Sequence, residues 1–267
     1  MSLKTTVKPY LVDSHCHLDH LDLTPFKGSL HAAIEAAASM DVKKILCISV
    51  DMENIKTVIA IAEQYPNVYA SVGLHPSEND GAEVDTAVLR ALASHPKVIA
   101  IGETGLDYYY EFTDQALQKQ RFAKHIEVSQ ATGKPLVIHT RKAVEDTLAM
   151  LREHRVTEGV FHCFTESLEM AEAGIEMGLY ISFSGILTFK NAEPLRAIAK
   201  ALPLERILVE TDAPYLTPMP YRGKPNCPGY TRLVAECLAE LKGIAYPVVA
   251  EVTTRNFHRL FKLEEPQ

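Results

Sequence analysis

The segment Asp13-Ser14-His15-Cys16-His17 sets two imidazoles two residues apart. In an extended strand that spacing puts both side chains on one face. Two neighbouring imidazoles on an inward face are costly unless something holds them, and a divalent cation does so. A pair of hydrogen-bonded loop histidines is the bland alternative for this motif taken alone. Four further ligand types each follow a short apolar run: Glu103, His139, His162 and Asp212. Four histidines and two carboxylates suit Zn or Mn, with Mg favoured if carboxylates and water dominate. Six ligands exceed the needs of one tetrahedral site. Two cations about 3.5–4 Å apart with one shared carboxylate fit better, and Glu103, mid-order between the two groups, is the natural bridge.

For these residues to meet, the apolar runs before them must be strands ending at one place. Eight such runs occur: 10–13, 44–50, 68–72, 98–101, 136–138, 159–161, 179–183 and 206–209. They are short and nearly continuously apolar, as strands covered on both faces should be. Between and after them lie helical patterns over 30–40, 53–64, 84–93, 114–132, 144–153, 167–177, 192–201, 230–241 and 247–261, with Gly133 a C-cap for the fourth. Strand–helix alternation of this kind predicts an α/β fold, a single-domain (β/α)₈ TIM barrel, with the metal site at the C-terminal ends of the strands. A doubly wound open sheet shares the alternation. The placement of all the ligand types at strand ends favours the closed barrel, whose mouth would gather them.

The 267 residues, 47% of them hydrophobic, suffice for one sizeable core. Residues 1–267 are read as one domain, with 1–9 a disordered or tag-derived leader. No apolar run is long enough for a membrane span, and the N-terminus does not read as a secretory signal. Five cysteines without regular spacing point to a reducing cytoplasm rather than a disulfide framework. The formal net charge of −7 excludes a protein that coats nucleic acid through a basic surface, but not a nuclease gripping a few phosphates.

These motifs closely resemble the TatD family of metal-dependent deoxyribonucleases, within the amidohydrolase superfamily. The matching segments are DSHCHLD from Asp13, GLHP from Gly73, GETGLDYY from Gly102, PLVIHTR from Pro135, FHCF from Phe161, ISFSGILTFK from Ile181, and ILVETDAPYLTP from Ile207 through RGKPN at Arg222. Each motif is weak to moderate alone; together, in the family's order over nearly the whole chain, they are very specific. The resemblance implies one cation held by His15, His17, Glu103 and Asp212, and a second by Glu103, His139 and His162. It places His75 and Arg141 against a substrate phosphate, with Arg222 a weaker candidate. It departs at Phe164-Thr165-Glu166-Ser167, where many members have Gly in place of Glu166, and this puts substrate preference in question.

The implied reaction is phosphodiester hydrolysis by a 3'-5' exo-type deoxyribonuclease acting on single-stranded or frayed DNA ends. It would use two divalent ions (Mg, Mn or Zn), Asp212 as general base and Glu103 as the bridging carboxylate. Glu210, two residues before Asp212, is expected to point inward in support. A hydrolase of another ester or amide (a lactone or small phosphoester) on the same site is the rival, and a non-catalytic barrel the second. The protein is expected to work as a monomer or weak oligomer. Tyr108, Tyr109, Tyr110 and Phe112 could stack unpaired bases, although loop packing accounts for at least two of them. Phe164 and Tyr215 could line the cleft. His20, His31, His95, His125, His154 and His258 read as surface histidines, and Cys16 and Cys163 as pointing away from the metals.

Overall fold

A computed structural model describes residues 9–78, 84–109 and 114–264. Tyr110 and Phe112 lie outside the described residues. Eight parallel strands pair in chain order: β1 (Leu11–Cys16), β2 (Val42–Cys47), β3 (Val68–Val72), β4 (Val98–Asp107), β5 (Leu136–Arg141), β6 (Gly159–Phe161), β7 (Tyr180–Phe183) and β8 (Ile207–Val209). Beyond β8 the chain returns to β1. Cys16 bridges Ala213, the Asp212 N–H donates to the His15 carbonyl, and the His17 N–H donates to the Ala213 carbonyl. The sheet is thus a nearly closed TIM barrel, and its seam runs through three ligand candidates.

Helices α1 (Leu30–Ser39), α2 (Asn54–Gln64), α3 (Thr86–Ala93), α4 (Gln115–Thr132), α5 (Val144–Glu153), α6 (Leu168–Glu176) and α7 (Glu193–Ala201) alternate with the strands, and α8 (Thr231–Lys242) and α9 (Tyr246–Leu260) follow β8. Their ends carry the expected chemistry. Asp114 caps α4 by accepting from the Ala116 and Leu117 N–H groups, and Gly133 closes it at φ 65°. A lower barrel plug takes residues such as Val12, Leu46, Ile99, Val137, Val160, Tyr180 and Leu208 from successive strands, with partly buried Tyr69 of β3 against them. Phe257, Leu260 and Phe261, at the end of α9 and just after it, join this plug. With apolar side chains filling the base, the polar strand ends occupy the mouth. Among the described residues, no helix is long and apolar enough to cross a membrane.

Three strands outrun their apolar segments. β1 continues to Cys16, β4 to Asp107 and β5 to Arg141, so His15, Glu103, Asp107 and His139 lie within the ladder rather than in loops. Polarity marks the end of burial in hydrocarbon, not the end of pairing. Two glycines let β4 lie against β5 over this stretch. At Gly105 (φ 138°) an added Cβ would sit 2.0 Å from the His139 carbonyl oxygen, and at Gly102 (φ 145°) 2.5 Å from that of Val137.

Candidate metal centre

Six side chains from five strand ends converge in the mouth. On one side, His15 Nε2 lies 3.2 Å from Glu103 Oε2, 3.5 Å from Asp212 Oδ1 and 3.3 Å from His17 Nε2. His17 Nε2 is 3.4 Å from Asp212 Oδ1 and 3.9 Å from Glu103 Oε2. Four donors around a cation at bond lengths of about 2.0–2.2 Å stand roughly 3.4 Å apart, so this spacing fits a bound metal. On the other side, Glu103 Oε1 lies 2.7 Å from His162 Nε2 and 3.1 Å from His139 Nδ1, and those two nitrogens are 3.3 Å apart. Glu103 therefore turns one oxygen to each group.

Charge agrees with this arrangement. Burial pushes the Glu103 carboxyl up, but the facing imidazoles, His162 foremost, outweigh it and hold the group well below the usual carboxylate range. Burial likewise opposes ionisation of Asp212, and His17 and His15 reverse the balance. The backbone is bent to aim these groups. Asp212 (φ 54°) and Cys163 (φ 43°, just after His162) both adopt the left-handed region, at a cost of order 1 kcal/mol each.

His75 stands 3.4 Å from Glu103 Oε1 through Nε2, and with Glu103 and His139 forms a third group of metal-ligand types. Its hydrogen bonds argue for another role. The Ser77 backbone N–H, which can only donate, points at His75 Nδ1 at 3.2 Å. Nδ1 then carries the lone pair and Nε2 the proton. Burial lowers the ring's pKa to about 3, so it is neutral. His75 thus offers the cavity an N–H donor. Arg141 joins it on the wall, its guanidinium 3.6 Å above the Tyr109 ring. Arg222 stands apart: it stacks on Phe189 at 4.1 Å and does not line the cavity. Tyr108 packs, donating to Asp146 at 2.7 Å, while Tyr109 and Tyr215 are exposed at 46% and 54%. Phe164 is buried in the core. The mouth encloses about 780 Å³.

Several expectations drawn from the sequence are corrected here. His20 is exposed, as expected, but it also lines the cavity, its ring stacked 5.9 Å from that of His17, and Cys163, expected to point away, lines it too. His125 and His258 are buried. The structure also adds supporting residues. Asp107 Oδ2 lies 3.1 Å from His139 Nε2, which leaves Nδ1 free to face Glu103. Gln118 grips both backbone polar groups of Asp107. Asp13, buried, accepts from the Thr211 N–H and hydroxyl, tying β1 to the turn that carries Asp212. Asp107 shares the Gly102–Asp107 motif with Glu103, four residues on, and that spacing could have flagged it. The α4 residues carry no comparable signal.

His125 accepts the Leu74 N–H at Nε2 (3.0 Å) and pairs with the Arg121 carbonyl through Nδ1 (2.7 Å), so α4 holds the backbone that presents His75. Burial lowers its pKa from 6.5 to about 4. The fold keeps this ring neutral, whereas the unfolded chain protonates it near pH 6.5. Its contribution is intact above pH 6.5 and is lost as pH falls towards 4, a drop on the order of 3 kcal/mol. Urea titrations should show the stability advantage of wild type over His125→Gln shrinking by that amount between pH 7 and pH 4. Parallel pH dependence in the two proteins would refute this assignment.

Residues 12–262 match the sequence profile of the family described as TatD related DNase. The chain belongs to the TatD family. It is 47% identical over 258 residues to the uncharacterized metal-dependent hydrolase YcfH of Escherichia coli (strain K12), covering 96% of this chain and 97% of that one. It is 39% identical over 256 residues to the uncharacterized metal-dependent hydrolase YabD of Bacillus subtilis (strain 168), covering 95% and 99%. The crystal structure of YjjV, a TatD homolog from Escherichia coli K12, superposes with a TM-score of 0.89 at 30% identity, covering 95% of this chain and 98% of that one. This TatD-family chain is accordingly a metal-dependent hydrolase, and the His, Asp and Glu groups at its strand ends are the candidate metal-binding groups.

Proposed function

We propose that the chain hydrolyses phosphodiester bonds as a 3'-5' exo-type deoxyribonuclease on single-stranded or frayed DNA ends, with two divalent cations shared through Glu103. The observation that carries this reading is the pairing of a carboxylate whose two oxygens serve two donor groups with anion donors on the same wall. His15, His17, Glu103 and Asp212 would hold one cation, and Glu103, His139 and His162 the other. Cations bound there (Mg, Mn or Zn) would acidify a water near neutral pH and offset charge on a phosphate.

The chain's own residues account for the rest. The Asp212 side chain is 13% exposed against 4% for Glu103, so Asp212 is the ligand carboxylate open to a water in the cavity and the one placed to take its proton. The His75 Nε2–H and the Arg141 guanidinium donate to nonbridging oxygens, and stacking on Tyr109 orients the guanidinium plane. These local donors supply what a chain of net charge −7 lacks globally. A mouth of about 780 Å³ admits a strand end rather than a continuous duplex groove.

The test is digestion of 5'-labelled single-stranded DNA, beside bis-p-nitrophenyl phosphate and a lactone panel, with each of Mg, Mn and Zn. Metal-stimulated stepwise shortening from the 3' end is expected. Lactone turnover exceeding phosphodiester turnover, or no metal-stimulated DNA cleavage, would overturn the reading.

A further inference from the structure

Beneath the two donor groups lies a nest of polar atoms without partners. The imidazoles of His15 and His162 stack face to face, centroids 3.9 Å apart and planes 10° from parallel. Both direct Nε2 upward, to opposite oxygens of Glu103. Their Nδ1 atoms, on the other edge, are buried with no hydrogen-bond partner, and so is Oε2 of Glu210. His15, His162 and Glu210 nevertheless offer ligand atoms within 4.8 Å of one another. Glu210 Oε1 is 3.5 Å from His162 Nδ1 and accepts the Cys163 backbone N–H at 2.7 Å. Glu210 is fully buried.

A neutral imidazole has one lone pair, so a ring that turns Nε2 to a cation must carry its proton on Nδ1. Two buried Nδ1–H groups then need an acceptor, because each left unmade costs about 1–3 kcal/mol. The same reasoning excludes a third cation in the nest, since both Nδ1 lone pairs are spent on protons. Among the described residues, Glu210 is the carboxylate grouped with both rings. We infer that Glu210 is a positioning residue whose carboxylate receives the Nδ1–H of both His15 and His162, one ring from each donor group, directly or through one buried water. Its two oxygens below mirror those of Glu103 above, and the two rings are clamped between them. Asp107 differs in kind: its Oδ2 pairs with the ring of His139, which belongs to one donor group.

This inference rests on the reading that Nε2 of these rings faces cations, and not on the substrate. Calorimetric titration of metal-free protein with Mn²⁺ is the first measurement. Glu210→Gln should weaken binding at both sites by about 10–100-fold, while Asp107→Asn should weaken one. Weakening at neither site, or at one only, in Glu210→Gln would overturn it. Should that variant fail to fold, long-range ¹H–¹⁵N spectra of histidine-labelled wild type, metal-free and Zn-loaded, decide the matter. Exchange-protected Nδ1–H signals from both His15 and His162 are expected, and their absence from either ring overturns the assignment. Failure to cleave DNA would leave these readouts untouched and bear only on the proposed activity.

Discussion

Glu103→Gln will abolish turnover, by roughly 10³-fold or more, and strip metal from both donor groups at once. The side chain keeps its volume, so the barrel has no cavity to fill. What disappears is the anion whose Oε1 lies 2.7 Å from His162 Nε2 and whose Oε2 lies 3.2 Å from His15 Nε2. An amide turns one N–H₂ group toward one of those positions, and a donor there repels a cation that an oxygen would hold. Both groups suffer together because they share this one residue, whereas replacement of a single histidine leaves the other group intact. Metal content per chain after dialysis, measured beside bis-p-nitrophenyl phosphate hydrolysis, checks the claim. Turnover within tenfold of wild type with metal content unchanged would show that the carboxylate is not shared.

Asp212→Asn should cost about 10³-fold in turnover while leaving most of the bound metal in place. The asparagine retains an oxygen for the position 3.4 Å from His17 Nε2 and 3.5 Å from His15 Nε2. Its backbone stays pinned by the Asp212 N–H to the His15 carbonyl, and Asn tolerates the left-handed φ that the turn demands. An amide cannot accept a proton from water at neutral pH, so proton transfer fails while binding persists. The separation of the two effects is the point. Glu103→Gln removes metal and rate together, and Asp212→Asn removes rate alone. Full activity in the Asn variant would take Asp212 out of the proton-transfer role, and equal loss of metal and rate would reduce it to a ligand.

Much of this site was legible in the chain because of what the barrel does to its strands. A strand buried on both faces reads as an unbroken apolar run, so a charged or imidazole side chain at its end stands out, as at Ile101 to Glu103 or Ile138 to His139. The barrel's parallel order then brings those ends to one mouth, whatever their separation in sequence. Ligand types, approximate strand positions and the cap residues of α4 follow from composition and local physics. His125 shows where that reasoning stops. On a helix rich in polar residues it looks like a surface histidine, yet α4 buries Gln118, Arg121 and His125 against the loops of β3 and β4.

The sequence by itself determined which residues could bind metal and which runs must be strands, because burial and periodicity are local properties of the chain; that the strands close in chain order rather than forming an open sheet was decided by the tertiary pairing. Only the tertiary structure decided which oxygen of Glu103 faces which imidazole, that Ser77 sets the tautomer of His75, and that Glu210 lies beneath two stacked rings. Those facts depend on side-chain direction and on distances of a few tenths of an ångström between residues far apart in sequence. No pattern along the chain encodes them until the barrel has closed.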